Sequence, residues 1–243
     1  PRNGDILMYT IAPQEGDVEL VIENLRTGKK ISVPRATRAS LNQEGTKVIA
    51  VVKPFFNQTR EAKIKKTKKD DMPKDSLAII DLKTGNVEKI ANYKSHNAAE
   101  KWSKFVAYEV TPAKEKADAK KDKKDGDKKD GDKKEGGKKS APKKDAKQLL
   151  VMNVLTAKVD TIKNVSSYKF NEDESWLAYV VEPEKKDSLT KAGLYLYNPM
   201  TGETKEVLQG EKGSKFKTPS FSEVGTMAFY ANTDTTKAAK KNI

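Results

Sequence analysis

A single histidine and no cysteine limit the chemistry open to this 243-residue chain. His96 sits in the stretch "SHNAAEKW" from Ser95. A general base needs a hydroxyl or thiol to activate and a third group to orient it. No Gly-x-Ser-x-Gly elbow occurs anywhere in the sequence, so His96 reads as a polar loop residue. One histidine also excludes His-Glu-x-x-His and the common multi-histidine zinc sites, and the lack of thiols excludes disulfides and thiolate metal sites.

Other chemistry-bearing patterns are weaker still. "GDKKEGGKKS" places Gly131, Gly136 and Lys138 near a phosphate-loop spacing, but Gly137 stands where the lysine is required. Asp81, Glu172, Asp173 and Glu174 are acids in turn-like contexts. "NEDES" lacks the alternating ligands and central glycine of a calcium loop and reads as a solvated turn. Tyr9, Tyr108, Tyr179, Tyr195, Tyr197 and Tyr230 fall in apolar strands, where sheet packing accounts for them. The sequence therefore assigns no catalytic, cofactor-binding or metal-binding residue, and implies no cofactor.

The net charge of +13 raises the question of a nucleic-acid partner. Residues 114–147 hold 15 Lys against 9 acids, and residues 53–75 hold 8 Lys and Arg against 4, so only three of the thirteen net charges belong to the rest. These runs interleave acids with lysines. Residues 114–147 carry no aromatic residue, which leaves phosphate contact without stacking or base readout. A solvated loop is the expectation, and nucleic-acid binding is not. No apolar run reaches the ~20 residues of a membrane span.

What remains is a framework, and it repeats. Apolar segments recur as "DILMYTI" from Asp5, "KVIAVV" from Lys47, "KFVAYEV" from Lys104, "WLAYVV" from Trp176 and "TMAFYA" from Thr226. They are short, rich in β-branched and aromatic residues, and apolar on both faces, as strands covered on both sides must be. Four are followed by a partner: "VELVIENLRTGK", "LAIIDLKTGN", "LLVMNVLTAK" and "LYLYNPMTGE". Gly28, Gly85 and Gly202 allow a tight hairpin into a last strand, whereas Ala157 at the same place predicts a looser turn.

A shorter segment precedes the apolar strand: "SLNQEG" from Ser40, "YKFNEDE" from Tyr168 and "PSFSEVG" from Pro219. The unit order is then inner, second, third, outer strand. The third unit has lost most of that segment, which predicts its inner strand to be the least regular. Self-similarity at roughly 40 to 50 residues marks a β-propeller, whose small sheets bury their faces only against neighbours. The fold class is all-β: a partial β-propeller of about four four-stranded blades and the start of a fifth, with long Lys-rich loop insertions. The blades are expected at 1–35, 36–91, 92–163, 164–209 and 210–243, the last incomplete.

Both insertions fall between second and third strands, so both should decorate one face. Residues 111–147 have no apolar area to offset the entropy of ordering them and are expected to be disordered. In the other insertion, Arg60 to Lys69 predicts a short solvated helix anchored by "PFF" at 54–56. The chain opens on Pro1 and begins and ends inside the repeat, so it reads as a piece of something longer that buries apolar strand faces at both broken ends.

"FSEVGTMAFYAN" from Phe221 resembles the Phe-Ser-Pro-Asp-Gly-x-x-h-Ala-Phe pattern (h, apolar) of TolB-like propellers and of propellers in the prolyl oligopeptidase family of serine peptidases. "YKFNEDESWLAYVVEP" with "KAGLYLYNPMTGETKEVL", and "MPKDSLAIIDLKTGNVEKI", are similar to blades of exported members related to dipeptidyl and acylaminoacyl peptidases. The Pro-Asp of the pattern is missing here. The resemblance implies a propeller that filters peptide access to a C-terminal α/β-hydrolase domain, in a periplasmic or otherwise exported enzyme. None of that domain's catalytic motifs is in this chain, so the chain itself is expected to be non-catalytic. The alternative is a TolB-like or WD-type scaffold that binds another protein.

Overall fold

The structure is a computed structural model, and it describes residues 4–111, 148–182, 191–211, 214–217 and 219–233. Within each of the three larger sheets the strands follow one another antiparallel, each beside the last. β1 (Ile6–Ile11), β2 (Glu19–Asn24) and β3 (Lys30–Pro34) form a three-stranded sheet. β4 (Ala36–Leu41), β5 (Lys47–Val52), β6 (Asp75–Asp81), β7 (Val87–Asn97), β8 (Phe105–Val110), β9 (Gln148–Asn153) and β10 (Val159–Lys163) run as one seven-stranded ladder. β11 (Val165–Phe170), β12 (Leu177–Val181), β13 (Gly193–Tyr197) and β14 (Thr204–Gln209) make a four-stranded sheet. Two short pairs close the described chain: β15 (Lys215–Phe216) with β18 (Ala231–Asn232), and β16 (Ser220–Phe221) with β17 (Met227–Ala228).

The ladder is two units joined through one strand. The first half of β7 pairs with β6 as an outer strand, and from Tyr93 it pairs with β8 as the next inner strand. Asn92, between the halves, has φ 57°. The other crossings use the same device: Arg35 (φ 65°) separates β3 from β4, and Asn164 (φ 60°) separates β10 from β11. At all three hinges the carbonyl accepts the N–H that follows the next second strand, from Lys53 at 2.8 Å, Thr111 at 2.7 Å and Glu182 at 3.0 Å. The fold is therefore a succession of inner-to-outer sheets linked by left-handed hinges, a partial β-propeller. Among the described residues the sheets do not close into a barrel.

Alternation along the central strands shows how the sheets stack. In β5, Val48, Ala50 and Val52 pack into one core with Leu20, Ile22, Val33, Ala78 and Ile80. Ile49 points the other way, into a second core with Trp102, Phe105, Leu149 and Leu177. β12 repeats this: Leu177, Tyr179 and Val181 face the second core, and Val180 a third with Leu194 and Phe216. Successive side chains of a strand point to opposite faces, so each central sheet is sandwiched between its neighbours. The outer strand β10 alternates exposed and half-buried residues, as an edge in contact with solvent does.

Four expectations need correction. The third inner strand, Tyr93 to Asn97, has one register shift against β8, as β4 has against β5 and β11 against β12, so it is no less regular than they are. Its register is held by the outer strand from which it continues. The turn at Ala157 is not looser either. Ala157 itself adopts φ 59°, and its N–H bonds Asn153 O at 2.8 Å, the same bond that Gly28, Gly85 and Gly202 make to Asn24, Asp81 and Asn198.

The solvated helix is α1 (Phe56–Ile64), which starts about one turn before the expected Arg60 and has no buried residue. Its start is fixed early because Asp17 Oδ1 accepts the Phe56 N–H at 2.7 Å and the Arg35 guanidinium lies 3.8 Å from the Phe55 ring centroid. Lastly, the fifth apolar segment is not one continuous strand: only Met227–Ala228 and its last residue, Ala231, are in strands, and Tyr230 between them is exposed. The expected disorder of residues 111–147 falls, beyond Thr111, outside the described residues. So does the predicted position of that insertion relative to the first.

Candidate functional site

In a sheet stack of this kind the inner strands form the surface nearest the common axis, so their polar side chains are the first place to look for a site. Three inner strands follow one another: β4, the second half of β7, and β11. Ser95 Oγ and Tyr168 Oη are 2.9 Å apart and link the last two, and Asn97 Oδ1 accepts the Phe170 N–H at 2.7 Å. Trp102, fully buried, donates its indole N–H to Ser40 Oγ at 3.0 Å and ties the third unit to the second.

His96 belongs to this row. It is a strand residue opposite Tyr108, not the loop residue its sequence context suggested, because β7 extends through Asn97. Its Nδ1 lies 2.8 Å from Tyr93 Oη, and burial, then the charge of Arg38, lowers its pKa below 6.5. At neutral pH His96 is therefore uncharged. Burial raises the Tyr93 and Tyr168 hydroxyls, which stay protonated as donors. Lys94 pairs with the buried Glu109. The row offers neutral hydrogen-bonding groups flanked by Arg38, with the Tyr93 hydroxyl on His96 and the Ser95 hydroxyl on Tyr168. Its chemistry is recognition of polar groups.

Tyr93 and Tyr168 were not singled out in the sequence. Both lie in short segments whose apolar content is low, "NYKSHN" and "SSYKF". The signal available was their place between an outer strand and the turn before the apolar strand.

The turns at the end of these inner strands bring the acids into view. Asn42 Oδ1 accepts Thr46 N and Lys47 N at 2.8 Å each, and Asn171 Oδ1 accepts Trp176 N at 3.0 Å. The equivalent turn of the third unit, residues 98–104, contains no asparagine. Its amides are accepted instead by Glu174 of the fourth unit: Ser103 N at 2.9 Å, Lys104 N at 2.9 Å and Phe105 N at 3.0 Å. Glu174 is buried and has φ 57°, so "NEDES" is a turn but not a wholly solvated one. Burial outweighs the three hydrogen bonds and raises its carboxyl above 4.5.

The other acids are structural as well. Asp173 accepts from Asn171 and Ser175 within its own turn, and Glu172 pairs with Lys101. Asp81 accepts Lys83 N at 2.9 Å, Thr84 N at 2.8 Å and Lys47 Nζ at 2.6 Å. The hydrogen bond from Lys47, then that from Thr84, hold its carboxyl well below 3.8. Asn24, Asn153 and Asn198 cap the other three hairpins in the same way. No cluster of three or more His, Asp or Glu residues suited to a metal occurs among the described residues. Gly131, Gly136 and Lys138 lie outside them.

Of the tyrosines, Tyr108, Tyr179 and Tyr197 are buried, and Tyr9 is exposed. Tyr197 donates to Asp160 Oδ2 at 2.7 Å. Tyr179 and Tyr195 stack with ring centroids 5.5 Å apart. They line an open cleft of about 550 Å³ at the Asn164 hinge, with Lys163 and Lys191 beside them. No helix among the described residues is long and apolar enough to cross a membrane.

No family model matches this sequence, and no curated protein matches it. Solved structures similar to it include propeller-containing peptidases. An acylaminoacyl peptidase from Pyrococcus horikoshii is 15% identical with TM-score 0.43, the overlap covering 84% of this chain and 30% of that one. The β-propeller domain of the Trilobed protease from Pyrococcus furiosus is 14% identical with TM-score 0.44, covering 96% and 67%. A eukaryotic initiation factor is 11% identical with TM-score 0.44, covering 93% and 50%. The chain spans about a third of the length of the acylaminoacyl peptidase. The repeat, the strand pairing and the shared cores define the class of this chain: part of a β-propeller.

Proposed function

We propose that this chain is a non-catalytic part of the propeller of an exported serine peptidase of the prolyl oligopeptidase type. In this reading it contributes four units and the start of a fifth. The propeller restricts entry to short peptides and positions them for a hydrolase domain elsewhere in the full protein. The observation that carries the proposal is the linked row of inner strands. Tyr93, Ser95, His96 and Tyr168 present uncharged donors and acceptors suited to peptide groups. The blade sequences from Met72, Tyr168 and Phe221 supply the family resemblance.

Size selectivity tests the proposal. The full-length protein is assayed on short peptides and on a large unfolded protein substrate, with and without residues 1–243. The proposal expects the intact protein to cleave only short peptides and the truncated one to lose that preference. Unchanged selectivity contradicts gating. A native sequence that continues past Ile243 without a Gly-x-Ser-x-Gly segment favours the interaction scaffold instead.

A further inference from the structure

Tyr179 and Tyr195 stand opposite each other on β12 and β13, their rings 20° from parallel with centroids 5.5 Å apart. Tyr195 leans along its own strand. A Cβ built on Gly193, two positions earlier on the same face, would come within 2.9 Å of Tyr195 Cε2 and 3.1 Å of its Oη, so the ring takes the place a side chain would fill. Tyr179 is buried and Tyr195 half-buried, which leaves the second ring at the surface of the cleft beside the Asn164 hinge.

Ile162 and Val181 complete the apolar part of that cleft, Lys163 and Lys191 stand beside it, and no acid belongs to its lining. Among the described residues neither lysine has an ion-pair partner, whereas Lys47, Lys53 and Lys94 each have one. Two cations without a counter-charge suit a dianion such as a phosphate monoester. Gln209 donates to Tyr195 Oη at 3.4 Å and to Glu206 at 2.6 Å, which leaves its carbonyl as an acceptor. The Asn164 side-chain amide has no partner among the described residues. An aromatic surface, two amides at its edge and a pair of cations match the base, the base edge and the phosphate of a nucleotide, and about 550 Å³ holds one.

We infer that this cleft binds a nucleoside monophosphate, its base stacked on Tyr195 with one edge toward Asn164 and Gln209, and its phosphate between Lys163 and Lys191. The inference does not rest on the peptidase reading, because binding alone tests it. AMP, adenosine, phenyl phosphate and inorganic phosphate are titrated calorimetrically into the full chain at one ionic strength. AMP is expected to bind at least about tenfold more tightly than each of the other three. Lys163→Gln combined with Lys191→Gln changes two exposed side chains and leaves the Lys-rich runs intact. This variant is expected to keep the melting temperature and to lose the preference for AMP over adenosine. Tyr195→Leu is expected to lose the preference for AMP over inorganic phosphate. The inference is overturned if AMP binds no more tightly than any one of the other three, or does not bind at about 10 mM. Wild-type affinity for AMP in the paired lysine variant overturns it too, since the nucleotide then sits on other lysines.

Discussion

Glu174 Oε2 lies 3.0 Å from the amide nitrogen of Phe105, 69 positions earlier and in the preceding unit. The same carboxylate takes the amides of Ser103 and Lys104. An asparagine does this work within the turn of the second and fourth units, and in the third the cap is supplied by its neighbour. Two units are thereby joined at the rim of their inner strands by hydrogen bonds as well as by the apolar core.

Glu174→Ala leaves three amides in a turn where water replaces the lost acceptor only in part. A loss of about 3 kcal/mol in unfolding free energy is expected. Urea denaturation of the two proteins measures it, and a loss no larger than that of a surface substitution removes the capping role.

The pH dependence follows from the raised carboxyl of Glu174. A group whose folded pKa exceeds its unfolded value binds protons more readily in the folded state. Its contribution to stability is therefore greatest below about 4.5 and declines as pH rises through the higher folded value. Glu174→Gln abolishes that titration. The urea midpoint of the wild type minus that of the variant should fall between pH 4 and pH 7, and a rising difference contradicts the assignment.

Asp81 has the opposite sign. Its folded carboxyl is depressed by Lys47 and by the Thr84 amide, so its stabilisation is present above 3.8 and is lost as pH falls through the depressed value. Asp81→Asn keeps the turn cap seen at Asn24, Asn153 and Asn198 and removes the ion pair. A cost below about 1 kcal/mol is expected at pH 7, against a larger one for Asp81→Ala. Thermal melts of both variants decide it.

Ala157 occupies a left-handed position that glycine fills in the other three hairpins. Ala157→Gly should stabilise the chain by about 1 kcal/mol, because relief of the steric conflict exceeds the added chain entropy. A variant that melts earlier than the wild type shows that the backbone there is not strained.

The strands and their order were legible because central strands covered on both faces leave continuous apolar runs, as at Lys47–Val52 and Leu177–Val181. The Thr-Gly hairpins were legible because glycine marks a conformation. Ala157 hid the same turn because the hydrogen bonds of Asn153 and Thr156, rather than the residue at the strained position, fix its geometry. The candidate site was largely illegible. Ser95 and Tyr168 come together across 73 residues through sheet stacking, and Glu174 looked like one solvated acid among three until its partners in the third unit were in place. Arg35 gave no signal at all, since a left-handed hinge is recognisable in sequence only when it carries glycine or asparagine.

The central claim is that this propeller serves a serine peptidase domain in the same protein. Labelling the full-length protein from its natural source with a fluorophosphonate, followed by peptide mapping, tests it most directly. The account predicts one labelled serine, outside residues 1–243, and loss of short-peptide cleavage on labelling. A full-length protein that takes up no label, or that is labelled within these residues, contradicts it.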